Sequence, residues 1–293
     1  MLMSFVTYAQ QDAQYTQYMY NTINVNPAYA GSRGVMSIFG LYRTQWVGLD
    51  GAPVTSAFSV NSPIENTNLG VGLSFVNDRI GPTVENTVSA DLSYTIQTSE
   101  TYKLSFGIKG TANLFNLDPT KLNPMNQNDP LLQNLNNNFS PNVGAGVYFH
   151  SNKSYLGVSV PNFFETKRYS DNDVAVYKER TNMYFIGGYV FELSPSLKFK
   201  PAFLTKMVQG APLQLDVSGN FLINDKLMLG AAWRWSAAMS FMAGFQITDG
   251  LYAGYGYDLE TTKLANYNSG SHEIFLRFEL FKRQSRIVSP RFF

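Results

Sequence analysis

The sequence predicts an all-β protein: a transmembrane, antiparallel outer-membrane β-barrel of about fourteen strands with an N-terminal plug or periplasmic arm. Three observations carry this. Apolar and polar residues alternate along successive segments from Val35 onward. The connections between segments are short on one side and longer on the other. The polar faces of the segments are poor in charge.

The clearest segments come in this order. Residues 69–77 set Leu69, Val71, Leu73 and Phe75 against Gly70, Gly72 and Ser74. Residues 84–95 set Val88, Ala90, Leu92 and Tyr94 against Ser89, Asp91 and Ser93, and 102–110 set Tyr102, Leu104, Phe106 and Ile108 against Lys103, Ser105 and Lys109. In the second half, 213–223, 227–235 and 251–259 repeat the pattern, and 271–281 close it with Ile274, Leu276, Phe278 and Leu280 opposite Glu273, Arg277 and Glu279. Weaker segments surround Ile38, Phe58, Val147, Val158, Ile186, Phe203 and Phe241. Each is near the length that a tilted strand needs to cross a bilayer.

Connections at 63–67, 97–101, 151–152, 193–196, 224–225 and 248–249 are short. The alternate set holds the stretches 118–139 and 161–179, a loop at 78–82, and 261–270. Sorting of loop length by parity is a mark of outer-membrane barrels, and a soluble sandwich has no reason to show it.

A soluble sandwich would also need a charged outer face, whereas the polar faces here are mostly Ser, Gly, Gln and Asn. Charged residues are 15% of the chain and aromatics another 15%; 22 Lys and Arg nearly balance 21 Asp and Glu. The net charge of +1 gives no footprint for nucleic acid. The interior is expected to pair Lys103, Lys109, Lys198, Lys200 and Lys206 with Asp216, Asp258, Glu273 and Glu279. Cysteine is absent, so there is no disulfide framework, thiolate metal site or lipid-modified cysteine.

The barrel is expected over 35–281. Residues 1–9 read as the remnant of a secretory signal, with small residues at an A-x-A-like cleavage site but no basic region before them. Residues 10–34, rich in Gln, Asn and Tyr, are expected to plug the lumen or reach a partner as an arm. Residues 282–293 are expected to form a basic periplasmic tail, and both Phe281 and Phe293 fit the aromatic ending of a barrel. Trp46, Trp233 and Trp235 are placed in an aromatic girdle.

A series of motifs runs through the chain: "QDAQYTQYMYNTINVNPAYAGSRG" (11–34), "LYRTQWVGLDGAP" (41–53), "VNDRIGPT" (76–83), "KLNPMNQNDP" (121–130), "SPNVGAGVYF" (140–149), "YLGVSVPNFF" (155–164), "GAPLQLDVSGNFLINDKLMLGAAWR" (210–234) and "NYNSGSHEIFLRFEL" (266–280). In order and spacing the series resembles the PorP/SprF family of the Bacteroidetes type IX secretion system. The resemblance implies an outer-membrane, multi-pass barrel with surface-exposed loops. It further implies service to the secretion and surface attachment of a large adhesin, including those of gliding motility, recognised through its C-terminal domain. Other type IX or periplasmic proteins are further expected partners, and the family is not known for enzymes.

The residues support no catalytic, cofactor or metal site. The chain's two histidines, His150 and His272, fall at opposite ends of the expected barrel, and two His without Cys offer a transition metal few ligands. A hydrolase would need His272 with Asp258 or Glu273 at the rim. Gly-x-Gly at Gly70, Gly144 and Gly254 opens no helix, so a dinucleotide site is unsupported; on a strand it makes room for bulky lumen groups or a plug. The rival to a docking barrel is a passive pore. Client docking is expected at 118–139, 161–179 and 261–270, with β-augmentation as one mode.

Overall fold

The computed structural model describes residues 20–118, 135–165, 167–169, 175–178 and 181–280. Seventeen strands are described: β1 (Met36–Thr44), β2 (Val54–Pro63), β3 (Leu69–Ile80), β4 (Thr83–Gln97), β5 (Lys103–Leu117), β6 (Leu135–His150), β7 (Ser154–Val160), β8 (Lys167–Tyr169), β9 (Ala175–Lys178), β10 (Asn182–Tyr189), β11 (Phe191–Ser194), β12 (Leu197–Val208), β13 (Gln214–Ile223), β14 (Leu227–Arg234), β15 (Ala238–Gln246), β16 (Leu251–Glu260) and β17 (Ser271–Leu280). All neighbours pair antiparallel, and β1 pairs with β17 from Met36↔Leu280 to Thr44↔His272, so the sheet closes on itself. Strands β8 and β9 form a separate hairpin. Strands β10 and β11 both pair with β12 and act as one broken wall strand, which makes a fourteen-stranded barrel. Closure leaves no exposed sheet edge at the seam.

The break between β10 and β11 has a cause in β12. Pro201 carries no backbone N–H, and it lies between the pairs Gly188↔Ala202 and Phe191↔Phe199, where a ladder donor is missing. On the other side the ladder with β7 runs on, and Val190 N–H bonds the Lys153 oxygen at 2.7 Å.

The end that holds Met36 and Leu280, the near end, has short turns throughout. At Asn224 and Asp225 both residues take positive φ (52° and 55°), and Lys226 N–H bonds Ile223 oxygen at 3.0 Å. That conformation suits the right-handed twist of a hairpin, and Asn and Asp tolerate it better than most residues. The far end departs from the expected loops. Residues 78–80 continue β3, and only Gly81 and Pro82 turn the chain into β4. Strand β6 starts at Leu135, inside the stretch 118–139 expected to be loop. The 261–270 connection contains a 3-10 turn, Lys263–Asn266.

Side-chain direction follows the sequence alternation. On β17, Glu273, Phe275 and Arg277 are buried while Ile274, Leu276, Phe278 and Leu280 are exposed on the outer wall. The same holds on β3, where Gly70, Gly72 and Ser74 face inward and Val71, Leu73 and Phe75 outward. An apolar belt around a polar interior inverts the layout of a water-soluble protein and is what a bilayer demands. Among the described residues no helix is long and apolar enough to cross a membrane.

Candidate functional site

The lumen is filled at the near half by the chain's own N-terminal segment. A single helical turn, α1 (Thr22–Val25), leads to a 3-10 turn, Pro27–Tyr29, which Asn26 caps: its Oδ1 accepts from Ala28 N at 3.0 Å. The other end of that amide donates to the Val147 oxygen of β6 at 3.0 Å, so Asn26 ties the turn to the wall. Asn26 and Ala28 have no exposed surface.

The wall receives this segment where it has no side chains. A Cβ at Gly70 would overlap the carbonyl of Ala30, and one at Gly107 would overlap the backbone of Pro27 and Ala28. Gly72 and Gly146 leave room in the same way for Ile23 and Asn26. Serines between the glycines supply the polar contacts: Ser93 Oγ donates to Ala30 oxygen (2.7 Å), Ser159 Oγ to Val25 oxygen (2.8 Å) and Ser59 Oγ to Asn21 Oδ1 (3.1 Å). Backbone groups of the plug that would otherwise be buried unmet are thereby satisfied.

At its two ends the plug is held by charge and ring contacts. Arg33 pairs with Glu279 of β17 and bonds the Tyr29 hydroxyl at 3.3 Å. Tyr20 stacks on Tyr252 at 5.4 Å between centroids and lies beside Phe275, with the Arg277 guanidinium 5.5 Å from its ring. A cation over an aromatic face in a desolvated place contributes up to about 2 kcal/mol.

Between the plug and the far end lies a polar cavity of about 170 Å³. Its floor is Asn24 and Val25 of the plug, and β3–β6 and β12–β14 supply most of its walls. Two ion pairs stand in the walls: Lys109 Nζ to Asp91 Oδ1 at 2.9 Å, and Arg234 Nε to Asp216 at 3.0 and 3.2 Å. A third group on the lumen face joins Arg43 to Asp258 (2.7 Å) and Glu273 (3.4 Å) across β1, β16 and β17. Arginines thus take a part that the sequence reading gives to lysines. Arg43 lies in one of the weakly patterned strands, where the face it occupies is hard to read; an arginine opposite two acids on strands that must close the barrel is the signal for it.

The residues weighed for hydrolysis are separated. His272 lies on the outer face, its Nδ1 2.6 Å from the Tyr255 hydroxyl and its ring beside Tyr257, whereas Asp258 and Glu273 point into the lumen. The barrel wall stands between them. His150 is at the near end, stacked on Tyr148 at 5.0 Å and 3.5 Å from Ser105 Oγ, the outer limit of a hydrogen bond. Trp233 and Trp235 stack at 6.4 Å on the outer face, as a girdle requires, while Trp46 Nε1 bonds Glu260 at 3.3 Å. Among the described residues no cluster of three or more His, Asp or Glu is placed to hold a metal. Residues 1–19 and 281–293, most of 118–134 and parts of 161–179 lie outside the described residues, and with them the first part, 10–19, of the expected plug.

A closed, lipid-faced, antiparallel barrel whose lumen is occupied by its own N-terminal segment is an outer-membrane β-barrel protein. The family model described as "Type IX secretion system membrane protein PorP/SprF" matches residues 7–278, and the chain belongs to that family. It is thus a membrane component of type IX secretion. A comparison with curated proteins finds no match. Among solved structures it is similar to the outer membrane protein Omp33 of Acinetobacter baumannii, with a TM-score of 0.51 at 9% identity over 84% of this chain and 98% of that one. It is similar also to a mutant of the monoaromatic hydrocarbon channel TodX, with a TM-score of 0.53 at 8% identity over 88% and 94%. At such identities the likeness concerns the fold.

Proposed function

We propose that this protein is a docking barrel that holds a client adhesin of its secretion system at the cell surface, recognising the client's C-terminal domain. In this reading the near end, with its short turns, faces the periplasm and the far end faces outward. Residues 10–34 serve as plug, 35–281 as barrel and 282–293 as periplasmic tail, and the protein carries no catalytic function of its own.

The observation that carries the reading is the seated plug. Glycines, serines and Asn26 are arranged so that the segment 20–34 fits the near half of the lumen, which leaves a cup facing the far end. A passive pore, the rival reading, needs a continuous aqueous path, and a glycine bed shaped to a plug works against one. Membership of a type IX secretion family favours a protein client over a small solute.

Purification of the native protein in mild detergent, followed by identification of what stays bound, tests this. A large secreted protein retained with the barrel is the expected result. Recovery without any secreted protein, together with solute leakage through the reconstituted barrel, would replace docking by conduction.

A further inference from the structure

Two independent features meet at the cup above the plug. The first is a set of polar atoms with nothing to bind. Ser74, Ser140 and Asn24 line the cavity, the two serines only 6% and 7% exposed, and Ser74 Oγ, Ser140 Oγ and both ends of the Asn24 amide are buried without a hydrogen-bond partner among the described residues. Buried polar atoms are almost always paired, so orphans gathered around one cavity mark a place where the partner comes from outside the chain. The nearby charges are paired by distance, Lys109 Nζ with Asp91 Oδ1 at 2.9 Å and Arg234 Nε with Asp216 Oδ1 at 3.0 Å. The unpartnered groups on residues that line the cavity are two hydroxyls and an amide, which offer donors and acceptors together.

The second feature is a strand edge beside that cavity. Strand β6 runs sixteen residues, whereas its neighbour β7 runs seven and stops at Val160. Beyond that point Val143 oxygen accepts from Phe163 N at 2.8 Å, which shows that Val143 directs its backbone groups away from β5. By the alternation of an antiparallel ladder, Pro141 and Phe139 direct theirs the same way. Pro141 has no N–H to offer, in keeping with a position on an edge. The chain itself runs beside β6 as far as Phe164, whose C=O and N–H bond the Asn142 side chain at 2.8 and 2.9 Å, and past it the Phe139 N–H and C=O and the Pro141 C=O have no backbone partner among the described residues. Apolar surface lies alongside: Phe139, Phe163 and Phe164 are 60%, 46% and 57% exposed.

We propose that the cup and the β6 edge together bind an extended polypeptide segment of the secreted client, paired to β6 at Phe139 and directing alternate side chains to Ser74, Ser140 and Asn24. The inference rests on the docking reading and adds where and how the client is held. A strand added at this edge would continue the barrel wall, so every second side chain would enter the cup. Main-chain pairing is what an open strand edge offers, and it selects a polypeptide. A sugar ring would instead call for aromatic platforms, and among the described residues Tyr184 is the one aromatic side chain lining the cavity, already beneath the Lys206 ammonium. The volume fits the role: about 170 Å³ has room for on the order of ten waters, or the side chains of a short segment.

The chain has no cysteine, so single cysteines report one position each. Ser74→Cys and Ser140→Cys in the full-length protein, labelled with a benzophenone maleimide in cells that secrete their usual proteins, should crosslink on illumination to a protease-sensitive product. Leu73→Cys, on the lipid face, should not. In the Ser140→Cys background, Phe139→Pro removes the edge N–H and Phe139→Ala keeps it. The proline should lower the crosslinked yield about tenfold, the loss expected for one or two hydrogen bonds, and the alanine should largely preserve it. Folding of each variant is read from its heat-dependent gel mobility; should the proline variant misfold, the two cup cysteines alone decide. A client that copurifies with the barrel yet is never crosslinked from Ser74→Cys or Ser140→Cys overturns this site and leaves docking intact. Equal yields from folded proline and alanine variants overturn the edge pairing. Absence of any copurifying client sinks the docking reading itself.

Discussion

Ser93 of β4 donates a hydrogen bond of 2.7 Å to the carbonyl oxygen of Ala30, across the point where Gly70 of β3 leaves no side chain in the way. Plug and wall are therefore complementary residue by residue: a hydroxyl where a carbonyl must be met, and a bare backbone where the chain must pass. This complementarity makes the plug part of the folded barrel.

Replacement of Gly107 by Val should unseat the plug, because a Cβ there overlaps the backbone of Pro27 and Ala28. Overpacking of this kind costs about 1–3 kcal/mol. Gly110, on the outer face of the same strand, has open space around it, and Gly110→Val should be nearly neutral. Thermal midpoints in detergent, and the sensitivity of cells to an antibiotic too large for an intact outer membrane, compare the two.

Arg43→Met leaves Asp258 and Glu273 buried without their shared guanidinium. Removing one member of a buried ionic group costs about 3–5 kcal/mol, while replacing the whole group with apolar residues is often neutral. The single variant should lose thermal stability in detergent, and the triple variant Arg43→Met, Asp258→Leu, Glu273→Leu should recover most of it.

Much of this was legible in the sequence. Strict alternation on β3, β4, β5 and β17 assigned inner and outer faces, since a period of two leaves no ambiguity. The glycines of β3 pointed to bulky lumen contents. The sequence could not say which contents: the fit of Asn26 to Val147 joins residues 121 positions apart, and no local pattern encodes it. The cup was also hidden. Its orphans, Ser74 and Ser140, look like any other serines on a polar face, and they are distinguished only by the cavity they line. The far end was misjudged at 78–80 and 135–139 because Asn, Asp and Arg there read as loop, although cross-strand pairs such as Asn77 with Asn86 (2.7 Å) keep them in strands.

His272→Ala should leave client retention unchanged, since the ring sits on the outer face against Tyr255 and Tyr257. Losing the one hydrogen bond to Tyr255 should cost about 0.5–1.5 kcal/mol of stability. Quantifying surface-bound client in cells carrying the variant checks this; complete loss with a folded barrel would return His272 to a functional role.

Ile108→Arg places a charge on the outer wall, where Ile108 is 61% exposed. If that wall faces lipid, the substitution costs about 2–4 kcal/mol near the bilayer middle. Refolding yield into lipid vesicles should drop for Ile108→Arg, and Lys103→Arg, at the near rim, should match the unaltered protein.

The central claim is that the barrel is a plugged cup that holds a protein, and conductance of the intact, full-length chain in planar lipid bilayers tests it most directly. The account predicts no sustained current from the intact barrel and the appearance of open channels in the Gly107→Val variant. A steady, ohmic conductance from the unaltered protein would contradict it.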